Sequence, residues 1–134
     1  MKSPGSWAVE DLFYGRPEAL KLFNYVRQYI ESLGPVKIEA TKTQISFRIK
    51  KKFAWVWLPQ IWIKKRSENS ITLTFAVGRH IKHEQIVEAV ETSPGRWTHH
   101  VYIENEYDLT DDVHKWLIEA YTFGQIRKSV KPKK

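Results

Sequence analysis

Five histidines, His80, His83, His99, His100 and His114, are the residues best suited to chemistry in this chain, because imidazole titrates near neutrality and ligates zinc and related ions. Their spacing argues against a shared metal. His80-x-x-His83-Glu84 reverses the order of the zinc-protease helix motif and falls in GRHIKHE, a loop by composition. His99 and His100 are neighbours on the strand-like run WTHHVYI, so they point to opposite faces. The parity of Val101 and Ile103 turns Trp97 and His99 toward the core and leaves His100 and Tyr102 on the other face. Buried, hydrogen-bonded histidines account for the pattern, and neither a metal nor another cofactor is expected.

Acid catalysis is the next candidate. Glu104, Glu106, Asp108, Asp111 and Asp112 cluster between a strand end and a helix start, and nucleases hold Mg²⁺ with such carboxylates and a nearby lysine. Glu39 and Lys42 are three residues apart, yet no aspartate element precedes them at a suitable position. Acids in a turn and first helical turn serve more simply as caps and dipole partners. The chain has no cysteine, its glycines stand singly and no serine elbow is present, so thiol, phosphate-loop and acyl-serine chemistry have no motif. No catalytic residue is nominated, and a non-enzymatic role is expected.

The strongest constellation is one of binding. Gln44 to Arg66 reads QISFRIKKKFAWVWLPQIWIKKR, aromatics interleaved with cations and no acid. Two basic clusters, Arg48, Lys50, Lys51, Lys52 and Lys64, Lys65, Arg66, are the candidates for nucleic acid or another acidic partner, through phosphate contacts and base stacking. The aromatics have a competing use. Trp55, Trp57, Trp62, Trp97, His99, His100 and Tyr102 could line a small-ligand pocket, or simply pack as core. Alternation puts Phe53, Trp55 and Trp57 on one face of their strand. If the chain reverses at Lys50 to Lys52 and again at Pro59, both clusters fall at one end of a sheet; if 53 to 64 is one bulged strand, they fall at opposite ends.

Charge supports a localised patch. The 134 residues carry 22 Lys and Arg against 15 Asp and Glu, a net +7. The two clusters and the tail cations Arg127, Lys128, Lys131, Lys133 and Lys134 hold more than half of the bases, so the remainder of the chain is acidic. The length suits one domain (1–134), able to bury roughly two thirds of its unfolded surface, with residues 1–5 a loose leader and 127–134 a basic tail. No run reaches the ~20 apolar residues of a membrane span, which suits a cytoplasmic protein; oligomeric state is not readable, although the strand Val36 to Ala40 offers an edge for pairing.

The elements that must position these groups follow from periodicity. Ser6 can cap a short turn to Phe13. Pro17 opens a helix with Leu20, Phe23, Val26, Tyr29 or Ile30, and Leu33 on one side, stopped by Gly34-Pro35. Alternation then marks strands at 36–40, 44–50, 53–58, 60–65, 71–77 and 97–103, with 60–65 and 71–77 a hairpin and 85–90 a short strand or helical turn. Thr110 or Asp111 caps a last helix with Val113, Trp116, Leu117, Ala120 and Tyr121 on its buried side.

FAWVWLP, ITLTFAV, IVEAVETSPGRWTHHVYI and LTDDVHKWLIEAY together resemble the bacterial and archaeal domain-of-unknown-function family DUF5655, from the first long helix to Tyr121. The resemblance implies a compact α+β domain and no agreed activity. The expected architecture is thus α+β, a mainly antiparallel sheet of five or six strands packed by N-terminal and C-terminal helices.

Overall fold

The computed structural model describes residues 8–58 and 70–126. A short helix α1 (Val9–Leu12) precedes the long helix α2 (Pro17–Leu33); six strands follow, β1 (Lys37–Ala40), β2 (Gln44–Arg48), β3 (Lys52–Trp57), β4 (Ile71–Val77), β5 (Ile86–Ser93) and β6 (Arg96–Ile103). A 3₁₀ turn (Glu106–Asp108) leads into α3 (Asp111–Gln125). The strands form one antiparallel sheet in the order β1-β2-β3-β4-β6-β5, so the α+β expectation holds with six strands. No helix among the described residues is long and apolar enough to cross a membrane.

Both long helices lie on the same sheet face. Pro17 occupies the first turn of α2, where a missing N–H costs nothing, and Gly34 ends the helix at φ 146°. Its buried stripe is Ala19, Leu22, Phe23, Val26 and Ile30, rotated slightly from the spacing expected through Leu20 and Leu33. Phe23 stacks on Phe47 of β2 at 6.0 Å. Thr110 Oγ1 caps α3 by accepting from the Val113 N–H at 3.3 Å. From α3, Trp116 stacks on Phe75 of β4 at 5.6 Å, and each such ring pair adds roughly 0.5–1.5 kcal/mol beyond area burial. Phe47, Ala54 and Phe75 are cross-strand partners and so share this face.

One expectation is corrected. Phe53 does not share a face with Trp55 and Trp57: the β2–β3 register shifts between Phe47 and Arg48, so Phe53 is the extra residue of a bulge and turns to the helices, as does its neighbour Ala54. Trp55 and Trp57 lie on the far face. On its two edges β4 pairs with β3 and β6; the expected strand 60–65 lies outside the described residues. Of the two readings of 85–90 the strand holds: it forms from Ile86 and runs on to Ser93 as the eight-residue edge strand β5.

The Phe53 bulge depends on one small residue. A Cβ on Gly124 of α3 would stand 2.7 Å from Phe53 Cδ2 and 3.0 Å from Phe53 Cβ and Cγ. The Gly124 carbonyl accepts from the N–H groups of Lys50 (3.0 Å) and Lys51 (3.2 Å), which ties the β2–β3 turn to the end of α3. Gly124→Ala should therefore destabilise the protein by about 1–3 kcal/mol in urea unfolding, by overpacking; an unchanged midpoint would show that the junction is not tight.

Candidate functional site

The junction fixes where the described basic cluster stands. Arg48 and Lys52 are partners across the β2–β3 hairpin, and Lys50 and Lys51 form its turn. Beside it lies the β5–β6 turn, Ser93-Pro94-Gly95, where Gly95 adopts φ 74° and glycine avoids the penalty of a Cβ. The two turns and the end of α3 enclose a cleft of about 460 Å³ lined by Lys50, Lys51, Arg96, Phe123, Ile126 and the Ser93–Gly95 backbone. Among the described residues three cations line it, and the Glu91 carboxylate stands behind its wall, accepting from the Gly95 N–H at 3.1 Å.

Arg96 is the residue that sequence reasoning missed. Its guanidinium donates to the Lys52 carbonyl at 3.4 Å and to Thr92 Oγ1 at 3.5 Å and lies 5.6 Å from the Trp55 ring centre. Partial burial lowers its pKa from the ordinary arginine value, far too little to discharge it. The signal available in the sequence was the Pro-Gly turn just before it, which forces a hairpin and returns the next residue to the sheet. Lys51 Nζ sits 3.9 Å over the Phe123 ring, a cation–π contact of roughly 0.5–1 kcal/mol at a surface.

Charge is distributed by sheet end. The far end, past Ile103, holds a cleft of about 430 Å³ lined by Glu18, Glu104 and Glu106 with Lys21, Tyr25 and Tyr107. Asp108 Oδ2 accepts from the N–H of Glu104 at 2.8 Å, Thr110 caps α3 and Asp112 pairs with His83 at 3.0 Å, so these acids organise the turn. Lys64, Lys65, Arg66 and Trp62 lie outside the described residues, as do Pro59, the leader and the tail cations from Arg127 onward.

The pocket candidates divide between the two faces. Trp97 and His99 lie on the helix face, within a pile of rings: His80 stacks on Trp97 at 4.4 Å and 2°, lies 6.3 Å from His99, and His99 stacks on Phe75 at 4.9 Å. His83 meets Trp116 edge-on at 4.8 Å, and His114 stacks on Tyr29 at 4.2 Å. Among the described residues no group of three His, Asp or Glu is placed to hold a metal ion. Trp55, Trp57, His100 and Tyr102 gather on the opposite face, half-buried.

A sequence profile described as Domain of unknown function (DUF5655) matches residues 9–124 of the 134. The chain belongs to that family. No curated protein and no solved structure matches the chain. The DUF5655 match spans α1 through Gly124 of α3, so the hairpin junction, the β5–β6 turn and both ring clusters fall inside the shared domain.

His99 gives the domain a pH dependence. It is fully buried, and its Nε2 accepts from the Ile81 N–H at 3.0 Å, which requires a neutral ring. Burial lowers its pKa, helped by the charges of His80 and Arg79 and opposed by the Phe75 carbonyl and Glu119. The native state then binds fewer protons than the unfolded chain below its ordinary pKa of 6.5, so stability is full above about pH 6.5 and falls as the pH drops toward the folded value. The melting temperature should decrease between pH 7 and 5, and His99→Gln, which keeps an acceptor for Ile81, should flatten the slope; an equal slope in the variant would exclude His99 as its source.

Proposed function

We propose that this DUF5655 domain is a non-enzymatic binding module whose ligand is single-stranded nucleic acid, held by its phosphates in the cleft between the β2–β3 and β5–β6 turns. The observation that carries the reading is the convergence of Lys50, Lys51 and Arg96, from two separate hairpins, on one cleft, where among the described residues cations outnumber the single neighbouring carboxylate of Glu91. Arg48 and Lys52 add two more positive charges as direct cross-strand partners. Like charges opposite one another destabilise a sheet, and a bound polyanion removes that cost. The acidic cleft at the other end would repel the same ligand, so the field of the molecule orients an incoming strand toward the basic end.

The cleft also suits a strand better than a duplex. It offers an aromatic ring, Phe123, beside the lysines, and Trp55 beside Arg96. Unpaired bases stack on such rings at roughly 1–3 kcal/mol each, while paired bases in a duplex are already stacked on each other.

Three phosphate contacts on single-stranded DNA predict that log K falls against log salt concentration with a slope of about −2. Fluorescence anisotropy with a labelled DNA 12-mer between 50 and 200 mM NaCl measures it. Lys50→Glu with Lys51→Glu should weaken binding at least tenfold and bring the slope to about −0.7. An unchanged slope would place the phosphates elsewhere, and no binding at 50 mM would remove nucleic acid as the ligand.

A further inference from the structure

The sheet face turned away from the helices carries a shaped aromatic site that the basic cleft does not explain. On β3, Trp55 and Trp57 pair with Thr74 and Thr72 of β4, which in turn pair with His100 and Tyr102 of β6. Neighbouring strands stand about 4.8 Å apart, so β3 and β6 run about 10 Å apart on either side of β4, and the Trp57 and His100 rings lean inward to meet over Thr74. The rings cover the strand between them: Thr74 is 3% exposed, and Ala76 beyond it is fully buried, so a ligand meets the outer surface of the ring cluster.

Hydrogen-bond accounting fixes what this site presents. The Trp57 indole N–H can only donate, and it does so to Thr74 Oγ1 at 3.1 Å. The Thr74 hydroxyl then has one proton to give, and His100 Nδ1, at 2.7 Å, is its one remaining partner among the described residues. His100 Nδ1 is thereby the acceptor, and the imidazole carries its proton on Nε2. Partial burial lowers the His100 pKa, against the pull of Glu88, so the neutral ring is favoured. The Nε2–H points outward, and the exposed Glu88 carboxylate lies 4.0 Å from it.

Arg96 joins this face to the cleft, since it lines the cleft and lies over Trp55. Along β6, His100 stands four positions on from it, about 13 Å away, a distance that a short oligonucleotide spans. We infer that a nucleic-acid strand anchored in the cleft continues on to this face, where one base lies among Trp55, Trp57 and Tyr102 and a base carbonyl accepts the His100 Nε2–H. The site would favour a base with a carbonyl acceptor, such as thymine or uracil, over adenine, which has none. The inference rests on the reading of the cleft as a nucleic-acid site, to which it adds a base-reading group.

Two labelled probes with equal numbers of phosphates separate the two claims: a thymidine 12-mer and an abasic 12-mer. The wild-type protein should bind the thymidine strand at least tenfold tighter than the abasic one. His100→Phe, which keeps a ring and loses the donor, should reduce that preference at least threefold and leave abasic binding unchanged. The Trp57 indole N–H resonance, assigned with Trp57→Phe, should shift with the thymidine strand and stay in place with the abasic one, a readout that needs no variant at His100. Equal affinity for both probes, with the resonance unmoved, overturns base reading and leaves the cleft intact. Absence of binding by both probes at 50 mM NaCl overturns the cleft reading and the inference together.

Discussion

The Gly124 carbonyl is the point on which the arrangement depends. It accepts from two successive N–H groups of the β2–β3 turn, and the absence of a side chain at that position lets Phe53 pack against the helix end. The close approach has two consequences. It pulls Phe53 out of strand alternation, so that Trp55 and Trp57 stand on the far face. It also presents Lys50 and Lys51 beside the β5–β6 turn, where Arg96 completes the cleft. The core and the candidate site are thus set by the same contact.

The histidines show how sequence pattern can suggest chemistry that packing has already used. Four of them are ring partners within the domain, and their stacking neighbours are tryptophan, phenylalanine, tyrosine and each other. His99 goes further, since it satisfies the Ile81 N–H of the loop between β4 and β5 from inside the core. His100 alone faces away from the helices, and its partners Thr74 and Trp57 come from two other strands. A hydroxyl and an indole that orient an imidazole form a polar network on an otherwise aromatic surface, and such networks hold a single geometry because each member has one way to be satisfied.

Much of this was legible in the sequence. Pro17 and Gly34-Pro35 bracketed α2, the pair Thr110 and Asp111 marked the start of α3, of which Thr110 is the cap, and the parity of Trp97, His99, Val101 and Ile103 gave the correct sides of β6. The match to DUF5655 agrees with the resemblance carried by the same motifs. Other features were hidden for physical reasons. The Phe53 bulge arises from a tertiary contact with Gly124, some 70 residues away, which no local period encodes. Arg96 was hidden among the cations because its role depends on the meeting of two turns, and Thr74 because alternating threonines read simply as the wet side of a strand.

Backbone amide mapping by ¹⁵N NMR, with unlabelled single-stranded DNA added to the labelled protein, tests the central claim most directly. The account predicts that the largest shifts cluster at residues 48–52 and 93–97, with Phe123 and the residues beside it, and that the amides around Glu104 and Glu106 stay unmoved. Shifts centred on the acidic end, or spread evenly with none at the two turns, would contradict it.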